Sequence, residues 1–293
     1  MKNKKVLILG SKGNLGTQLM KVFKKDKNFK LVGWDREELD FLEFDKLEKE
    51  IKKEKPEIII NATGYNNVDG CEEYERELKL AYKLNRDLPK KLAEISSEIE
   101  AKFIHYTSDY VFGGDKNKKI YQEIDQPKPI QKYGETKHAG EKEIARIKLK
   151  NKEFQFFIIR TSKLFGPKGK SEVTKPSFFD VMLKLSETKK ELSAVDEEWS
   201  CFTYTPDLAR ATKTLTEENY NSGIYHLINE GIVSWYEGIL EVFKFKNIKI
   251  KVIPVSGDKF PRPARRPLHS ALENNRFPKL RSYKEALKEY FKK

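Results

Sequence analysis

In the stretch QKYGETKHAGE (131–141), Tyr133 precedes Lys137 by four residues at the start of an amphipathic pattern. Such a spacing places both side chains on one face of a helix. A phenol titrates near ~10 when unperturbed, and each unit of depression takes about 1.4 kcal/mol, which a nearby ammonium can supply by favouring the phenolate. The pair is therefore a candidate proton donor tuned toward neutrality, with the lysine acting either directly or through a group lying between the two. Alone it would equally describe an exposed helix face. A hydroxyl at Ser108, in TSDYVFGG (107–114), and a glycine-rich turn near the start of the chain favour the chemical interpretation.

That turn is Gly10-Ser-Lys-Gly13-Asn14-Leu15-Gly16, set between the apolar run KVLILG and the pattern TQLMKVFKK. Glycines there let backbone amides approach a pyrophosphate at the positive end of a helix. The spacing is one residue longer in its first interval than the usual dinucleotide fingerprint. Asp35 follows nineteen residues after Gly16, where a carboxylate can accept from the adenosine ribose hydroxyls. Asp35 favours NADH, because it repels a 2′-phosphate, whereas Arg36 beside it can pair with that phosphate, so NADH and NADPH both stay open.

The elements that must position these groups alternate. Strands are expected at 5–10, 29–35, 57–63, 102–110 and 154–162, and helices at 14–25, 44–53, 78–99 and 132–149. Strand followed by helix, repeated, demands right-handed crossovers and a parallel sheet, with ligands at the carboxyl ends of its strands. The expected class is α/β: a Rossmann-type doubly wound sheet over 1–167 and a smaller C-terminal substrate-binding portion over 168–293. The connector FGPKGKSEVTKP (165–176) separates them, and segments around 203–230 return to the first sheet. Further helices are expected at 177–189, 206–218, 233–245 and 283–292.

The formal charge is +13, from 58 Lys and Arg against 45 Asp and Glu. Lysines alternate with glutamates in runs such as DKLEKEIKKEKPE (45–57), as in solvated helix faces, so a nucleic-acid partner is not expected. A basic protein still attracts an anionic small substrate. The opening apolar run is too short for a secretory signal, no run is long enough to span a bilayer, and Cys71 and Cys201 form no metal or disulfide pattern. A reduced cytoplasmic protein without membrane association is the expectation.

The chain resembles the dTDP-4-dehydrorhamnose reductases, a family of extended short-chain dehydrogenase/reductases. The resemblance rests on the glycine turn, TSDYVF and YGETK, together with NATGYNNVDGCE (61–72), RTSKLFG (160–166), TYTPDLARA (203–211), GIYHLINEGIVSWYE (223–237) and RRPLHSALEN (265–274). It implies reduction by NADH or NADPH of the C4 keto group of dTDP-4-dehydro-L-rhamnose, with Ser108, Tyr133 and Lys137 as the catalytic unit. The cofactor residues it implies are Gly10, Gly13, Asn14, Leu15, Gly16, Asp35, Arg36, Asp40, Phe41, Asn61, Ala62, Thr63, Tyr65 and Asn85, with Tyr133 and Lys137. For the nucleotide sugar it implies Asn66, Val68, Ser108, Asp109, Tyr110, Lys163, Arg265, Arg266 and Ser270. It also admits a homodimer and a Mg2+ ion at a subunit contact, although no metal ligands are legible in the sequence.

Two departures fall on the sugar side. Lys163 stands where the family carries a tryptophan, exchanging an apolar platform for a mobile charge, and EWSCFT (198–203) lacks the family's glycine and proline. Trp199 is the candidate to supply the missing ring. Two alternatives follow: a reductase of another nucleotide-linked 4-keto-6-deoxy sugar, or a non-catalytic dinucleotide-binding module like the regulatory subunit of methionine adenosyltransferase.

Overall fold

The computed structural model of the protein describes residues 3–114 and 120–292. Its centre is a six-stranded, all-parallel sheet: β1 (Lys4–Leu9), β2 (Phe29–Trp34), β3 (Ile58–Asn61), β4 (Lys102–Ser108), β5 (Phe156–Thr161) and β6 (Gly223–His226), in the spatial order β6-β5-β4-β3-β1-β2. The direction of winding reverses beside β1, which creates the crevice where doubly wound sheets hold ligands. Near-continuous apolar runs suit these strands because both faces are covered.

Alternate residues face opposite layers. Val6, Ile8, Ile58, Ile60 and Ile104 join one core with α1 (Asn14–Lys24) and a later helix, Thr205–Glu217. Leu7, Leu9, Ile59 and Phe103 join another beneath α2 (Phe44–Glu54) and two of the helices that follow. Of α3 (Val68–Glu73), α4 (Glu75–Tyr82), α5 (Leu88–Glu98) and α6 (Lys132–Lys150), α5 and α6 enter this core, while α3 and α4 pack in a small separate cluster with Tyr133; the later helix is α7. A third core gathers Phe165, Phe179, Phe202 and Tyr204 under Phe178–Ser186, α8 (Trp235–Lys246) and α9 (Tyr283–Phe291). Beside it a parallel pair, Glu191–Val195 with Lys251–Val255, lies outside the main sheet.

Two local details govern the region that follows. Between α4 and α5 the helix widens into a π turn at Lys83–Asp87, which turns Asn85 fully inward. On α6, Gly140 lies so close to the Asn85 carbonyl that a Cβ would approach it to 2.1 Å, and Gly134 meets the Tyr110 carbonyl in the same way. Helix α6 can therefore seat deeply against the sheet.

One buried ion pair fastens α6 to β5. Arg160 donates from Nε and Nη2 to the two Glu141 carboxylate oxygens at 3.0 and 2.8 Å, and its guanidinium lies over the Phe112 ring. Both side chains are buried. Removing one partner strands a charge in the interior, so Arg160→Met is expected to cost about 3–5 kcal/mol in urea unfolding, while Arg160→Met with Glu141→Leu recovers most of that loss. Equal stabilities for the single and double variants would show that the pair is not the fastening.

Candidate active site

The glycine turn is built for close approach. Gly10 has φ of +76°, where other residues are strained, and a Cβ on it would come 2.9 Å from the Ala62 carbonyl oxygen. At Gly16 a Cβ would fall 1.9 Å from the Gly10 carbonyl oxygen, so only glycine lets α1 begin here. Gly13 is the N-cap of α1 and offers no side chain to its first-turn amides, and that turn carries no acidic residue. The amides of Asn14, Leu15 and Gly16 thus stand at a positive helix end suited to a phosphate.

At the end of β2, Asp35 is buried and accepts from the Lys12 amide at 3.0 Å and the Arg36 amide at 2.9 Å. Arg36 and Asp40 are exposed, Asp40 capping the Leu42 amide, whereas the Phe41 ring is buried in the core and can contribute only its backbone to a ligand. Lys12 carries its ammonium to Glu37 and Glu38. That pairing had no local signal beyond the run of acids after Asp35.

Asn61, expected on the cofactor, is wholly buried. It accepts from the Thr63 amide and hydroxyl and donates toward His105, so it shapes the turn after β3 instead of facing the crevice. Asn85 does related work: it accepts from the Tyr65 amide at 2.9 Å and donates to the Tyr65 carbonyl and the Thr136 hydroxyl, both at 3.0 Å. One amide side chain thereby ties residues 63–65 to α6. The Tyr65 hydroxyl itself donates to Glu77.

Tyr133 and Lys137 lie on one buried face of α6, whose N-cap Gln131 accepts from the Gly134 amide. Burial drives the Tyr133 phenol well above its ordinary range, the Ser108 hydroxyl alone opposes this, and Asp109 adds to it. Lys137 instead points to the Tyr106 carbonyl at 3.5 Å and to the space above Gly64, where an added Cβ would meet its Nζ at 2.7 Å. Burial also draws this ammonium down to about 8, with Glu141 pulling the other way. A nearly unpartnered buried ammonium facing a glycine is what a ribose between Lys137 and Tyr133 would satisfy.

Ser108 ends β4 with its hydroxyl donating to Asp109 at 3.0 Å and accepting from the Tyr110 amide. Asp109 is buried and also takes hydroxyl donors from Ser162 at 2.8 Å and Ser270 at 2.6 Å. Burial raises this carboxyl's pKa, and the three serines restrain the rise. Asp109 and Ser270 thus satisfy each other. Tyr110 stacks edge-on against Tyr133, and Val68 packs into the same small apolar cluster, while Asn66 is exposed.

On the sugar side, Lys163 is not a mobile charge. Its backbone sits at φ +38°, its Nζ donates to the Glu198 carbonyl at 3.0 Å, and it lies 4.1 Å from the Trp235 ring centroid. The ring beneath it is Trp235 rather than Trp199, whose backbone instead pairs with Leu268 and Ser270. The Glu198 carboxylate gathers Trp235 Nε1 and Arg262. Arg266 pairs with Asp69 at 2.7 Å, and Arg265 is exposed. The expected double clamp of Arg265 and Arg266 is therefore one tethered and one exposed guanidinium. Among the described residues no group of three or more His, Cys, Asp or Glu could hold a metal ion.

The family described as RmlD substrate binding domain matches residues 4–293. The spore coat polysaccharide biosynthesis protein SpsK of Bacillus subtilis is 34% identical over 291 residues, covering 98% of this chain and 96% of its own. The crystal structure of a dTDP-4-dehydrorhamnose reductase from Clostridium acetobutylicum superposes with a TM-score of 0.87 at 35% identity, covering 98% of each chain. That of a dTDP-4-dehydrorhamnose reductase from Bacillus anthracis, in complex with NADP, gives 0.89 at 31% identity over 99% of each. With its glycine turn, its Tyr133–Lys137 helix and nearly its whole length matched, the chain belongs to the RmlD substrate binding domain family.

Proposed function

We propose that the protein is an NAD(P)H-dependent oxidoreductase that reduces the C4 carbonyl of dTDP-4-dehydro-L-rhamnose to give dTDP-L-rhamnose. The observation that carries the proposal is the convergence of Ser108, Tyr133 and Lys137 at the carboxyl edge of the sheet, beside a glycine turn that has no room for side chains. The dinucleotide supplies a hydride. The chain supplies the proton and the position.

Tyr133 is kept protonated by its burial, the state a donor to a developing alkoxide must have. Ser108 stands between Asp109 and the phenol, so turning its hydroxyl from Asp109 to the substrate oxygen places a second donor where charge develops. Lys137 holds the ribose and lends its charge to the phenol through it. The amides of Asn14 and Leu15 receive the pyrophosphate, and Asp35 the adenosine ribose. Lys163, fixed on Trp235, presents a donor to the sugar instead of a flat apolar ring. We divide the chain accordingly, assigning 1–167 and 203–230 to the dinucleotide and the remainder mainly to the sugar. The two free, buried cysteines suit a reducing cytoplasm.

Mixing the protein with NADH or NADPH and dTDP-4-dehydro-L-rhamnose is expected to consume reduced-nicotinamide absorbance. Intact dinucleotide binding without turnover would instead favour a different keto sugar or a regulatory module. Tyr133→Phe is expected to lower kcat by a factor of about 10²–10⁴ with dinucleotide affinity nearly unchanged, because the phenol acts mainly in the transition state. Wild-type turnover in that variant would remove Tyr133 from the acid role.

A pH dependence follows from Lys137. Its folded-state pKa is depressed to about 8, so the ammonium is present below that pH and lost above it. Dinucleotide Kd, followed by fluorescence titration, should rise as pH passes through about 8 in the wild type and stay flat in Lys137→Arg. A flat wild-type profile would mean that Lys137 does not hold the ribose.

A further inference from the structure

The connector between β5 and the third core does not simply leave the sheet; it returns across the glycine turn. The Lys12 carbonyl accepts from the amides of Lys170 at 2.7 Å and Ser171 at 3.0 Å. Asn14 reaches it twice: its Oδ1 accepts from the Gly169 amide at 2.7 Å, and its Nδ2 donates to the Lys175 carbonyl at 3.1 Å. Within the connector, the Thr174 hydroxyl and amide both donate to the Ser171 carbonyl, at 2.7 and 3.1 Å, closing it into a compact loop with Ser171 buried. Gly169 lies so close to the turn that a Cβ would come within 2.5 Å of the Lys12 carbonyl oxygen and of the Gly13 carbonyl carbon.

The charges on this loop have a direction. Lys168, Lys170 and Lys175 are exposed against the single acid Glu172. The cation of the turn itself, Lys12, is drawn away to Glu37 and Glu38 on the adenosine side. The connector that crosses the turn thus carries three exposed cations beside the Asn14 and Leu15 amides, where a pyrophosphate would sit.

We infer that residues 167–176 form a retention strap for the dinucleotide, latched by Asn14 and seated through Gly169, whose lysines pair with the phosphates and make its opening the slow step of dinucleotide release. This rests on the dinucleotide-binding reading above but adds to it. Asn14 and Gly169 become positioning residues for the cofactor without touching the reacting atoms. Dissociation is then governed by a surface loop rather than by the catalytic helix.

The test uses the full chain and NADPH. Stopped-flow fluorescence gives the release rate, and trypsin reports on the strap through cleavage after Lys168 and Lys170. In the wild type, NADPH should slow cleavage at these two positions about tenfold or more, relative to cleavage elsewhere in the chain. Gly169→Ala should release NADPH about tenfold faster and lose that protection, with its circular dichroism unchanged. Because Gly169→Ala could also disturb the turn, the triple exchange Lys168→Gln, Lys170→Gln and Lys175→Gln, all at exposed positions, serves as the second arm. It should speed release and weaken its dependence on salt. Wild-type release rates in both variants, or strap cleavage indifferent to NADPH, would overturn the inference while leaving dinucleotide binding intact. A wild-type protein that binds no dinucleotide would overturn the reading beneath it.

Discussion

The region around the crevice depends on one buried carboxylate. Asp109 has left water at the end of β4, a transfer that costs several kcal/mol for an ion without partners. Three serine hydroxyls meet it, from Ser108 next to it, Ser162 after β5 and Ser270 near the C-terminus. Ser108 and Ser162 come from the adjoining ends of the paired strands β4 and β5, while Ser270 is brought in from 161 residues beyond Asp109. The carboxylate therefore fixes where the sugar-side segments end relative to the sheet and, through Ser108, how a hydroxyl faces the Tyr133 phenol. An Asn there would keep the shape but lose acceptor capacity, and its amide would face hydroxyl protons on both sides.

A similar economy runs through the rest of the site. Single buried polar groups each hold two or three strands of chain together: Asn85 joins the turn after β3 to α6, Glu198 joins Trp235 to Arg262, and Glu141 joins α6 to β5. None of them need touch substrate. Each is costly if broken, because its partners are left in the interior without water. The groups best placed to react are, by contrast, the poorly satisfied ones, Lys137 with its single long contact and Tyr133 with its raised pKa.

Much of this was legible in the sequence where the signal is local. Alternating apolar runs and amphipathic stretches located the strands and helices of the sheet to within a few residues, and the glycine turn stood out through its place between strand and helix, with Asp35 at the end of the next strand. The return of 223–226 to the sheet was also readable, from an apolar strand pattern late in the chain. Polar contacts between distant segments were not. Asp69 and Arg266 are 197 residues apart, and Asn14 and Gly169 are 155 apart, with no periodicity to connect them. Lys163 was misread for a related reason: its side chain looked mobile because Trp235 and the left-handed backbone that turns it inward cannot be inferred from RTSKLFG.

The strand order carries a consequence for how the protein is made. β5, with its run FFII, is covered on one edge by β4 and on the other by β6, yet β6 lies more than sixty residues further along. A chain emerging from the ribosome therefore holds a nearly finished sheet with a bare apolar edge until residues 223–226 arrive. Unpaired edges of this kind recruit other strands, and non-local parallel pairing is slow. The last strand of the central sheet to be synthesised thus also acts as the guard of the nascent chain, and a stall before it would leave a species prone to aggregate rather than a smaller folded protein.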